Sequence, residues 1–132
     1  MANEASTRIT GQTILAVDDE ADLLEAVRRV LIRRGHTVLT AGGPAEALEV
    51  CRHYPDRIDL LLTDVRMPGG TGTELAAQAV ALRPELSVLY MSGLHDTSDD
   101  APGSARRIVA KPFTPASLTE AVDSALVAHA GH

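Results

Sequence analysis

Residues Thr13–Gly35 read TILAVDDEADLLEAVRRVLIRRG, and the order of residue types in this stretch decides the fold. Thr13–Val17 is a short apolar run without alternation, which suits a strand buried on both faces. It stops at two carboxylates, Asp18 and Asp19. From Ala21 to Arg34 the apolar residues Leu23, Leu24, Val27, Val30 and Leu31 recur at helical spacing, and Gly35 is the natural stop. A buried strand that ends in acid and leads at once into a helix is the first half of a βαβ unit.

The pattern repeats downstream. His36–Ala41 (HTVLTA) is β-branched enough for a second strand. Pro44 opens the next helix at its first position, and Ala47, Leu48, Cys51 and Tyr54 give that helix one apolar face. Ile58–Thr63 (IDLLLT) is a third strand ending at Asp64. Thr71 and Glu74 have capping-box spacing for a helix over Thr71–Leu82, with Leu75, Ala76, Ala79 and Leu82 as its inner stripe. Ser87–Met91 (SVLYM) and Arg107–Ala110 (RIVA) read as two more strands, ending at Ser92 and Lys111. Thr114 and Pro115 cap a last helix with the stripe Leu118, Ala121, Val122, Ala125 and Leu126.

One step is weak. Between the fourth and fifth strands, Gly93–Arg106 (GLHDTSDDAPGSAR) has only Leu94 as a strongly apolar residue, and Pro102-Gly103 interrupts it. Without an apolar stripe to pack, the segment is expected to form no helix of normal length. The alternation as a whole predicts an α/β fold, a doubly wound parallel sheet of five strands in the order 2-1-3-4-5, with a weak or missing fourth helix. Residues 13–128 make one domain, residues 1–12 a flexible leader and residues 129–132 a short tail.

Composition narrows the function. The net charge of −6 leaves no uniformly basic surface, which argues against direct nucleic-acid binding. Arg28, Arg29, Arg33 and Arg34 cluster, and read as the solvated face of a helix. Cys51 is the single cysteine, so no intrachain disulfide can form, and a reducing cytoplasmic setting is expected. Cys51 and His53 are two ligands without a second pair, so a buried structural thiol is the better reading. No apolar run approaches the ~20 residues of a membrane span. Phe113, Tyr54 and Tyr90 are the only aromatics, too few for a flavin site.

The strand ends carry the chemistry. Ligand sites in open α/β sheets lie beyond the carboxyl ends of the strands, at the switch point. Those ends hold Asp18, Asp19, Asp64, Ser92 and Lys111. Clustered carboxylates repel one another, and a hard divalent cation such as Mg²⁺ relieves that repulsion with oxygen ligands and waters. Lys111 offers a compact charge for a phosphoryl oxygen, and Ser92 a hydrogen-bond donor.

The segments LAVDDEADLLEAV, LLTDVRMPGGTG, VLYMSG and VAKPF, in this order and spacing, resemble the response-regulator receiver family of two-component signalling. The resemblance runs from about Thr13 to Ala128. It implies a flavodoxin-like fold and a phosphoacceptor aspartate at Asp64. It implies Mg²⁺ held by Asp18, Asp19, Asp64 and the Arg66 backbone carbonyl. It further implies Ser92 and Lys111 as phosphoryl ligands and a cis bond before Pro112. The implied partner is a histidine kinase or a histidine phosphotransfer domain, with a homodimer also admitted. The styles of RIDLLLTD and VLYMSG lean towards the receiver end of a hybrid histidine kinase; a stand-alone receiver is the other form.

Ile108 departs from the family, which usually has Tyr or Phe three residues before the lysine. The usual switch pairing of a hydroxyl with an aromatic becomes Ser92 with Ile108, which leaves two expectations for residues 93–106: an order–disorder change on phosphorylation, or a loop that stays mobile in both states. The competing reading is a small-molecule phosphohydrolase with an aspartate nucleophile. Many such enzymes carry a second acid two residues after the nucleophile, where this chain has Arg66, which argues against that reading. A non-phosphorylated interaction module is a third reading, and the retained acid pair and lysine argue against it.

Overall fold

The computed structural model describes residues 11–67, 70–93 and 108–130. Its elements are β1 (Thr13–Val17), α1 (Ala21–Arg33), β2 (Thr37–Ala41), α2 (Pro44–His53), β3 (Leu60–Asp64), β4 (Arg66–Met67), β5 (Gly70–Thr71), α3 (Gly72–Leu82), β6 (Ser87–Ser92), β7 (Ile108–Ala110) and α4 (Pro115–Ala130). Five strands form one sheet in the order β2-β1-β3-β6-β7. Every pairing in it is parallel. β4 and β5 form a separate antiparallel ribbon of two residues each. With that ribbon set aside, the order is the expected 2-1-3-4-5. Among the described residues there are four helices. The segment expected to lack a fourth helix between β6 and β7 lies outside the described residues except for Gly93.

Each central strand sends alternate residues to opposite faces, which is why its apolar run is unbroken. Ile14, Ala16, Leu60, Leu62, Leu89 and Met91 pack on one side with Val27 and Leu31 of α1 and Leu118, Val122 and Ala125 of α4. Leu15, Val17, Leu61 and Tyr90 pack on the other with Ala47 and Cys51 of α2 and Leu75 and Ala79 of α3. The burial of Cys51 pushes its thiol above the ordinary pKa, which makes it an inert core residue.

Local chemistry fixes the helix ends. The capping box closes on both sides: Thr71 Oγ1 accepts from Glu74 N at 3.1 Å, and Glu74 Oε1 accepts from Thr71 N at 3.3 Å. Thr114 Oγ1 accepts from Ser117 N at 3.0 Å at the start of α4. The far end of α2 is capped from outside: Arg83 donates to Cys51 O and to Asp56 O, each at 2.8 Å. Its third hydrogen bond goes to Tyr54 O.

The sequence reading of a solvated arginine face holds in part. Arg28 and Arg29 bond Glu25 on the surface of α1. Arg34 instead turns inward to an ion pair with Asp123 of α4. Two residues on, His36 is buried, and Gln12 N donates to its Nδ1 at 3.3 Å. Backbone pairing starts before β1: Gly11 N donates to Gly35 O, and Thr37 N to Gln12 O.

Candidate phosphoacceptor and metal site

The parallel order puts β1 and β3 side by side, so the residues that follow their last apolar positions share one crevice. Asp18 is buried beyond β1, and its backbone N–H donates to Ala41 O of β2 at 3.2 Å. One Asp18 oxygen accepts from Glu20 N at 2.8 Å, which holds the turn into α1. Asp19 beside it is exposed. Asp64 ends β3 with 8% of its surface accessible. Oxygens of Asp18, Asp19 and Asp64 all lie within 4.8 Å of one another.

Lys111 enters from the last strand of the sheet. Its backbone N–H extends the β6–β7 pairing by donating to Ser92 O at 2.8 Å. Its ammonium donates to Asp64 Oδ2 at 3.1 Å and to Asp18 Oδ2 at 3.2 Å. Burial acts against the ammonium, but the Asp64 hydrogen bond and the charges of Asp18 and Asp64 outweigh it and raise the Lys111 pKa. Burial also pushes the Asp64 carboxyl up, and Lys111 counters this only in part. Lys111 therefore stays a cation among carboxylates.

Ser92 ends β6, is nearly buried, and its hydroxyl donates to Gly93 O at 3.3 Å. Arg66 is exposed on β4, and its backbone N–H donates to the Asp64 carboxylate. The Lys111–Pro112 peptide is cis. Ile108 opens β7 in register with Tyr90 and is 46% exposed. The site thus brings together Asp18, Asp19, Asp64 and Lys111, with Ser92 on the neighbouring strand. The donor set is all hard oxygen, with one carboxylate open to solvent, which suits a cation that keeps several waters.

Gly72 belongs to the site's frame and was not singled out by sequence. A Cβ built there would overlap Asp64 O and sit 3.0 Å from the Asp64 carbonyl carbon. The available signal was a glycine at the first position of a well-capped helix, where glycine has no conformational use.

The family model for the response regulator receiver domain matches residues 14–123. The response regulator receiver protein CpdR of Brucella abortus is 30% identical over 119 residues, covering 87% of this chain and 97% of its own length. The two-component response regulator ORR24 of Oryza sativa is 36% identical over 87 residues, covering 66% of this chain but only 14% of its own length. This chain thus spans less than half the length of several curated relatives it matches. The crystal structure of the receiver domain of the hybrid histidine kinase CckA superposes with a TM-score of 0.74 at 31% identity, over 86% of this chain and 98% of that one. With the family model spanning most of the fold and the strand-end residues converging in one crevice, the chain belongs to the response regulator receiver domain family of two-component signalling.

Proposed function

We propose that the chain accepts a phosphoryl group on Asp64 from the phosphohistidine of a histidine kinase or a histidine phosphotransfer domain. The observation that carries this is the Asp64 carboxylate, almost buried at the end of β3 and bonded to Lys111 inside an acidic cluster. In the transfer an Asp64 oxygen forms a bond to phosphorus as the phosphorus–nitrogen bond of the donor breaks. The imidazole leaves with the bond's electrons, and the product is an acyl phosphate that water later hydrolyses. Lys111 holds a phosphoryl oxygen by charge, and the Ser92 hydroxyl donates a hydrogen bond to another. Asp18, Asp19, Asp64 and the Arg66 carbonyl would hold Mg²⁺, which when bound offsets the negative charge of the phosphoryl oxygens.

The aspartate phosphohydrolase reading lacks its second acid, because Arg66 occupies that position. No helix among the described residues is long and apolar enough to cross a membrane; we place the domain in the cytoplasm, where its phosphodonors would act. Ser92 and Ile108 are the switch positions, and a homodimer remains a partner to test by sedimentation. Incubation with acetyl phosphate and Mg²⁺ tests the central reading: the parent should gain the mass of one phosphoryl group and Asp64→Asn should not. Equal uptake by both proteins would overturn it.

A further inference from the structure

The peptide that joins Val65 to Arg66 is held at both of its polar ends. Its carbonyl, Val65 O, accepts from Gly72 N at 2.7 Å. Its N–H, that of Arg66, donates to the Asp64 carboxylate. One rigid amide plane therefore connects the first residue of α3 to the phosphoacceptor side chain. The first N–H groups of a helix have no partner within it, and Gly72 spends its own on this peptide.

The approach needed for that bond leaves no room for a side chain. A Cβ on Gly72 would overlap Asp64 O and come within 3.2 Å of Val65 Cα. Both are backbone atoms of the site, so no side-chain rotation relieves the contact. Asp64 O is also fixed from its other neighbour, since Thr63 Oγ1 donates to it at 3.1 Å.

We infer that Gly72 is a positioning residue for phosphoryl transfer: through the Val65–Arg66 peptide it sets the orientation of the Asp64 carboxylate. The same peptide leads into the Arg66 carbonyl, so one contact aligns the nucleophile and a backbone oxygen of the cation site. This inference rests on the assignment of Asp64 as the phosphoacceptor. Gly72→Ala should push the start of α3 away from β3 and release the peptide. The Asp64 carboxylate would keep Lys111 but lose its fixed orientation.

The test measures the initial rate of phosphorylation by acetyl phosphate with Mg²⁺, by intact mass, for the parent, Gly72→Ala, Thr71→Ala and Asp64→Asn. Thr71→Ala weakens the same helix start without touching Asp64. Gly72→Ala is expected to be slower by about tenfold to a hundredfold, the scale of a misplaced reacting group, with Thr71→Ala near the parental rate. Parental rates in Gly72→Ala, or equal losses in both helix variants, would overturn the inference. Uptake by Asp64→Asn would instead overturn the assignment of the site. If Gly72→Ala does not fold, the parent alone decides by amide exchange and NMR. The Gly72 amide should exchange as slowly as those of Leu61–Thr63 and shift when Asp64 is phosphorylated. Fast exchange, or no shift in a phosphorylated sample, would contradict it.

Discussion

Lys111 Nζ stands 3.1 Å from Asp64 Oδ2, although the two residues are 47 positions apart in the chain. The parallel sheet produces this meeting by bringing the ends of β3 and β7 to the same edge, with β6 between them. The ammonium also bonds Asp18, so one cation balances two buried carboxylates.

Lys111→Met should therefore cost stability as well as chemistry. Removing one partner of a buried charge cluster costs roughly 3–5 kcal/mol when burial is complete. Lys111 keeps 19% of its side-chain surface accessible, so a loss of about 2 kcal/mol is expected in urea unfolding without divalent cation. Phosphorylation should fall by about tenfold or more at saturating Mg²⁺. Full activity in the variant would remove Lys111 from the site.

Arg34 and Asp123 join the end of α1 to α4 across 89 positions, with 23% and 17% of their side-chain surfaces accessible. Arg34→Ala or Asp123→Ala should each lower stability by about 2 kcal/mol, because each leaves the other charge poorly solvated. The double variant should lose less than the sum of the two. A double-mutant cycle by thermal melting measures the coupling, and strictly additive losses would show that the pair contributes none.

How much of this was legible varied with the range of the interaction. Strand ends and helix stripes depend on local periodicity, so Asp18, Asp64, Ser92 and Lys111 could be placed at one edge from sequence alone. The β4–β5 ribbon could not, because two residues per strand carry no period. Arg34 looked like part of a solvated face because its partner lies in the last helix. Gly72 was hidden for a different reason: what matters there is the absence of a side chain opposite the backbone of β3.

Burial lowers the pKa of His36 below the ordinary histidine value, outweighing the attraction of Asp123 and Asp59, while Arg34 adds to the lowering. The unfolded chain then takes up this proton before the folded one does. The contribution of neutral His36 is complete above the ordinary value near 6.5 and is lost as pH falls towards the folded pKa. Unfolding free energies from urea titrations between pH 7.5 and pH 5.5 should fall more steeply for the parent than for His36→Gln, by at most about 1.4 kcal/mol per pH unit. Identical slopes would mean that His36 titrates alike in both states.

Arg83 closes the end of α2 through Cys51 O, Tyr54 O and Asp56 O. Arg83→Met should strand these carbonyls and cost roughly 2 kcal/mol, read as a lower midpoint of thermal unfolding. Lysine should rescue only part of the loss, since a single ammonium cannot match a planar fork of donors. Phosphorylation by acetyl phosphate should be unchanged in both variants at a temperature where they are folded.

The position of the phosphoryl group can be read directly. After reaction with acetyl phosphate and Mg²⁺, borohydride reduces an acyl phosphate to an alcohol, and peptide mass spectrometry then locates the altered side chain. The expected result is a single reduced site at residue 64, absent when Mg²⁺ is removed. Reduction at Asp18 or Asp19 instead, or an unmodified residue 64 in protein that has gained a phosphoryl group, would contradict the assignment of Asp64 as the acceptor.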